Sequence, residues 1–147
     1  MAMQLTRAGE YAVRSLVYLA TQDEDARVMA SQVASAENIP VNFVRKILES
    51  LAKTGLVKSY RGAGGGFTLG RDAAGITLRQ IVEAIEGPFA VNECLTPNGC
   101  DRMSVCSVSQ IWMEVQHAVE DILDRYSLAD IAHTARLRRQ AGVVLTD

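Results

Sequence analysis

Five of the chain's 11 glycines fall between residues 62 and 70, and that cluster constrains the fold more than any other feature. Leu56-Val57-Lys58-Ser59-Tyr60-Arg61 alternates apolar and polar side chains as a strand does. Gly62-Ala63-Gly64-Gly65-Gly66 follows, and Phe67-Thr68-Leu69 reads as a returning strand. Glycine-rich connections between two short alternating runs predict a hairpin.

What precedes the hairpin decides its meaning. Thr6 suits an N-cap, and Ala12, Leu16 and Ala20 with Val13 and Val17 form an apolar stripe to about Thr21, which predicts a first helix. A second, about Ala30 to Glu37, turns Val33 and Ala34 inward; Asn38 suits a turn and Pro40 the start of a new helix. The third, about Val41 to Thr54, carries Phe43, Ile47, Leu48 and Leu51 at helical spacing, with Gly55 at a left-handed cap. Its other face holds Asn42, Arg45, Lys46, Glu49 and Lys53. Two helices joined by a short turn form a helix-turn-helix, and a glycine-tipped hairpin directly behind it makes a winged helix.

Downstream, Thr77-Leu78-Arg79-Gln80 has capping-box spacing and opens a helix with Ile81, Val82 and Ile85 facing inward, stopped by Gly87-Pro88. A loop of about 20 residues then holds Cys94, Cys100 and Cys106. From about Ser107 to Tyr126, Val108, Ile111, Trp112, Val115, Val119, Ile122 and Tyr126 recur at steps of three and four, the longest amphipathic helix in the chain. Ser127 caps a last short helix, and the end from Arg136 reads as a mobile polar tail. The fold class is therefore mainly α with a small β-hairpin. The expected units are a DNA-binding domain over 1–88, a cysteine loop over 89–107, the long amphipathic helix with a short C-terminal helix over 108–135, and a tail over 136–147.

A net charge of −2 and a pI near 5.7 argue against a generic nucleic-acid binder, but the average hides a polarity. Residues 41–71 carry six basic side chains against the single acid Glu49, whereas residues 72–135 carry three against ten acids. The positive charge lies on the third helix and the wing. Asn42, Phe43, Arg45 and Lys46 near the start of that helix are the candidates for the major groove. Arg61 with Gly62, Gly64 and Gly65, whose small size admits backbone close to a sugar-phosphate surface, suits the minor groove. The glycine run lacks the Gly-Lys-Ser/Thr ending of a nucleotide loop.

No segment reaches the roughly 18 apolar residues of a membrane span, and the start lacks a secretory core, so no membrane role and a cytoplasmic location are expected. Three cysteines are an odd number for disulfides, and in a reducing compartment their clustering points to metal or redox chemistry. Thiolates hold iron–sulfur clusters or zinc, but zinc favours pairs two to four residues apart, unlike the even spacing here. Chance clustering or a regulatory disulfide are the other readings. Trp112, Met113 and His133 receive no site role.

Leu5-Thr6-x-x-Gly9-x-Tyr11-Ala12, Gly55-Leu56-Val57, Arg61-Gly62-x-Gly64-Gly65-Gly66, the cysteine triplet and Tyr126-Ser127-Leu128-Ala129-Asp130-Ile131 together resemble the IscR/NsrR family of bacterial winged-helix regulators, over nearly the whole chain. The resemblance implies a homodimer joined through the long helix around Ile111 to Tyr126, acting on double-stranded DNA at a palindromic operator. It also implies one iron–sulfur cluster per subunit, 2Fe-2S or 4Fe-4S, held by Cys94, Cys100 and Cys106. The histidine that supplies a fourth ligand in the IscR type is replaced here by Ser109. In the NsrR type a carboxylate of the first helix reaches over from the other subunit, and the matching residue is Glu10. His117 is a competing donor.

The leading expectation is a regulator, a repressor, whose DNA affinity follows a cluster sensing redox state, nitric oxide or iron status. The alternative is a cluster-free winged-helix regulator with thiol-based sensing or control by a partner or ligand. A third, an enzyme or electron carrier, has only the cysteines behind it: there is no paired-carboxylate cleft, nucleophile elbow or nucleotide loop.

Overall fold

The computed structural model describes residues 4–142; the first residues of the expected DNA-binding domain and the end of the expected tail lie outside them. Six helices and one hairpin follow in the order α1 (Arg7–Thr21), α2 (Ala30–Glu37), α3 (Val41–Lys53), β1 (Val57–Tyr60), β2 (Gly66–Leu69), α4 (Leu78–Glu86), α5 (Ser109–Arg125) and α6 (Leu128–Gln140).

The centre of the fold is α1. The Thr6 hydroxyl accepts from Gly9 N–H at its start, and Ala12, Ser15, Leu16 and Leu19 are buried along it against α2, α3, α4 and α6. Leu16, Leu48, Leu51, Ile76, Ile81 and Leu128 are the large side chains fully closed off from water, one contiguous core beneath the helix-turn-helix. Each such side chain contributes about 1.5–3 kcal/mol by leaving water.

Between α2 and α3 the chain reverses at Asn38, whose φ of 52° is left-handed, and Ile39 plugs into the core. α3 buries Val44, Ile47, Leu48 and Leu51. This corrects the apolar stripe read from the sequence: Phe43 is 52% exposed and Val44 takes the core position beside it. A one-residue rotation satisfies the 3.6-residue period about as well, and packing against α1 selects it. β1 and β2 pair antiparallel with Val57 opposite Leu69 and Tyr60 opposite Gly66.

Thr77 and Gln80 form the expected capping box of α4. α6 differs from expectation. It runs for 13 residues, so Arg136 to Gln140 are helical and not tail, and it lies on α1 with Leu128 and Ala132 buried. Arg136 donates to the Ala20 carbonyl at 2.6 Å, and Arg139 pairs with Glu37 at 3.5 Å.

The long helix α5 buries one side chain only, Gln116, at 8% exposure. It is joined to α4 by Arg79, whose guanidinium meets Glu83, Glu120 and Asp124, each at 3.1 Å. The hydrogen bonds to Asp124 and Glu83 raise the Arg79 pKa further above its already high value. Among the described residues no helix is long and apolar enough to cross a membrane.

Candidate nucleic-acid interface and cysteine loop

Because the buried face of α3 is set by Val44, Ile47, Leu48 and Leu51, the opposite face is dictated as well. Asn42, Phe43, Arg45 and Lys46 are all exposed on its first two turns. Phe43 is not loose. Its ring meets Tyr11 of α1 edge-on, centroids 6.2 Å apart at 75°. Arg14, one turn on, donates to the Glu37 carbonyl at the end of α2 and lies 5.8 Å from the Tyr11 ring. A guanidinium on the last carbonyls of a helix is favoured by its dipole. The turn of the helix-turn-helix is thereby tied to α1.

At the hairpin, Arg61 is exposed at the end of β1, and Gly62 and Gly64 adopt φ of +79° and +75°. Gly65 N–H donates to the Gly62 carbonyl at 2.9 Å, closing the tip. Arg27, from the α1–α2 connection, donates from Nη1 to the Gly64 carbonyl at 2.6 Å with its guanidinium carbon 3.9 Å from the Tyr60 ring centroid. It was invisible in the sequence, a lone arginine at the end of a polar turn. A recognition helix with amide, aromatic and cationic groups at its start, beside an arginine-bearing wing, has the donors that base edges and phosphates require.

The cysteine loop leaves α4 at Gly87 and returns at Ser109. Its start is anchored by Gln116: Oε1 accepts from Val91 N–H at 2.8 Å, and Nε2 donates to the Phe89 carbonyl at 2.7 Å and to Glu120 at 2.7 Å. Gln116 is one polar residue among several on α5, so the sequence carried no distinct signal for this anchor. Cys94 sits half-buried in a 3₁₀ turn (Glu93–Leu95), Cys100 is exposed, and Cys106 is half-buried with its carbonyl accepting from the Ser109 hydroxyl at 3.0 Å.

All three thiols are free. Among the described residues no three Cys, His, Asp or Glu side chains are gathered closely enough to hold a metal ion. The loop thus carries soft donors of the right kind, on turns held at both ends, without assembling them. Glu10 is exposed on the first turn of α1, and its carboxylate makes no hydrogen bond or ion pair among the described residues. His117 and His133 are exposed on α5 and α6. Trp112 and Met113 are exposed on α5, as are Ile111 and Ile122 and, at its C-cap, Tyr126.

Residues 5–134 match the sequence model of Rrf2, described as an iron-dependent transcriptional regulator. The chain is similar to the HTH-type transcriptional regulator IscR of Yersinia pseudotuberculosis serotype O:1b, 28% identical over 131 residues covering 89% of this chain and 80% of the relative. Its structure is similar to that of CymR, the global cysteine regulator of B. subtilis, with a TM-score of 0.75 at 26% identity over 90% of this chain and 98% of that one. IscR of T. potens superposes with a TM-score of 0.74 at 25% identity, over 99% of this chain and 96% of that one.

Proposed function

The chain belongs to the Rrf2 family of transcriptional regulators, and from that premise we propose that it is a homodimeric repressor whose grip on a palindromic operator is controlled by an iron–sulfur cluster on the cysteine loop. It is a DNA-binding transcription regulator and not an enzyme.

One observation carries the cluster reading: three free thiols lie on a single loop whose start is pinned to α5 by Gln116. Cys94, Cys100 and Cys106 would hold the cluster, with Glu10 of the partner subunit as a fourth, weaker ligand. Bound there, it supplies sensitivity to oxidants, nitric oxide and iron supply. This chain's own residues do the rest. Gln116 and the Arg79 network transmit the state of the loop to α5 and α4, and the exposed apolar face of α5 meets its counterpart in the second subunit. The two copies of α3 then present Asn42, Phe43, Arg45 and Lys46 to half-sites about one helical turn apart, while Arg61, Gly62, Gly64 and Gly65 approach the adjacent minor groove.

Thiol-based control without a cluster is supported by another feature of the same loop: Cys100 is exposed, and among the described residues the thiols are not gathered into a metal-holding group. Similarity to a global cysteine regulator supports it too. One experiment separates the readings. Protein purified anaerobically is assayed for iron and sulfide, and its affinity for a duplex selected from random sequence is measured before and after cluster removal or thiol oxidation. The cluster reading expects bound iron and sulfide, lost in Cys100→Ser and retained less firmly in Glu10→Ala. Iron-free protein whose DNA affinity responds to thiol oxidation alone would replace it with the second reading.

A further inference from the structure

Arg27 lies outside every motif, in the connection between α1 and α2, yet the fold delivers it to the wing. Val28 pairs with Phe67 of β2 through two backbone hydrogen bonds, 2.9 Å and 2.8 Å. Gly66 makes that approach possible: a Cβ there would stand 2.9 Å from the Val28 carbonyl oxygen, and its φ of +132° is one that side-chain-bearing residues rarely adopt. The connection therefore runs alongside the hairpin as a partial third strand.

From this position one planar cation spans the wing. The Arg27 guanidinium stacks on Tyr60, the last residue of β1, and donates at 2.6 Å to the carbonyl of Gly64 at the tip. Among the described residues it is the only side chain that hydrogen-bonds the backbone of residues 61–65. The tip is otherwise closed by the Gly65–Gly62 turn bond alone.

We infer that Arg27 is a positioning residue for DNA recognition: it holds the glycine tip in one conformation, so that Arg61 and the tip backbone meet the minor groove already ordered. The physical reason lies in the glycines. They lose more conformational freedom on ordering than any other residue, and a segment ordered in advance removes that cost from binding. An arginine suits the task because its planar fork can stack and donate at once and stays charged at any working pH. The inference rests on the wing reading of Arg61 given above.

The test uses the full chain, its Arg27→Ala and Arg27→Lys variants, and Arg61→Ala as the control for the wing itself. Nitrogen NMR relaxation reads the order of Gly62, Gly64 and Gly65 in the free protein. Anisotropy on the selected duplex at several salt concentrations reads affinity and salt slope. Arg27→Ala should loosen the tip in the free protein and weaken binding by about tenfold, the worth of one hydrogen bond and one cation–π stack, with an unchanged salt slope. Arg27→Lys should not restore affinity, because an ammonium lacks the planar face. An unchanged tip, unchanged affinity, full rescue by lysine, or a slope smaller by about one unit would each overturn the inference, the last by making Arg27 a phosphate ligand. Failure of the wing reading shows separately, as an Arg61→Ala variant that binds like the parent.

Discussion

Thr6 and Glu86, 80 positions apart, are locked together at the start of α1: the Thr6 backbone N–H and hydroxyl both donate to Glu86 Oε1, at 2.6 Å and 2.7 Å. The carboxylate closes over Gly9, where any added Cβ would collide with it, and lies at the end of the helix that favours an anion. Glu86 is also the last residue of α4, so the same contact ties the start of α1 to the point where the cysteine loop begins. Replacing Glu86 with Ala should cost about 1–2 kcal/mol, as loss of a helix cap does, and lower the unfolding midpoint by several degrees. Glu86→Gln, which keeps an acceptor, should recover most of the loss. Thermal unfolding followed by circular dichroism checks both, and equal midpoints for parent and alanine variant would show that the contact is idle.

Gln116 offers a second test. In Gln116→Leu the helix keeps its shape, but Val91 N–H and the Phe89 carbonyl lose their partners, a cost of about 1–3 kcal/mol if they stay buried. The loop start should instead open, with faster hydrogen exchange at residues 89–91 and little change in α1 or α3. Exchange that stays slow would mean that the loop is held elsewhere.

The apolar face of α5 predicts assembly. Ile111 is 59% and Ile122 50% exposed on a helix that buries no apolar side chain of its own. Ile122→Glu should convert a sedimenting dimer to monomer without lowering helix content. A parent that sediments as a monomer, or a variant that remains a dimer, would remove α5 from the interface.

At the start of α6, backbone N–H and hydroxyl of Ser127 donate to Asp130 Oδ2, both at 2.9 Å, and hold the Asp130 carboxyl below the usual carboxylate range. A depressed folded-state pKa contributes stability that is present above the ordinary value, near pH 4, and is lost as pH falls through the lowered one. Melting temperatures should therefore fall on the acid side of about pH 4. Asp130→Asn, which removes the titrating group, should flatten that acid limb relative to neutral pH, whereas Ser127→Ala, which keeps the larger backbone bond, should flatten it only in part. An acid limb of the same steepness in Asp130→Asn would place the titration in other carboxylates.

The parts of the fold legible in the sequence are those that local chemistry decides. Thr6, Thr77 and Ser127 cap helices, and Asn38, Gly62 and Gly64 take left-handed backbone. What stayed hidden depends on partners far along the chain. The inward face of α3 was misread by one residue because Phe43 and Val44 both fit the period, and only α1 tells them apart. Arg136 to Gln140 looked like tail because they are polar. They are helical where Arg136 reaches the Ala20 carbonyl and Arg139 reaches Glu37 and the Tyr18 ring. The candidate DNA residues were legible as types, and they are exposed on α3; Arg27, whose bonds run 37 residues ahead, was not legible. The cysteines were legible as a set because all three share one loop, while their distances from one another are decided by how the turns close.

The Arg79 network gives an unexpected meaning to a common measurement. Ion pairs between partly exposed groups weaken as salt rises, so the seam between α4 and α5 slackens over the same concentrations that weaken phosphate contacts to DNA. On the proposed coupling of that seam to DNA binding, a salt titration of operator binding by the parent protein counts two processes at once, one at the phosphates and one inside the regulator. Phosphate contacts are counted by the difference in slope between parent and variant, and an Arg79→Met background calibrates the internal share.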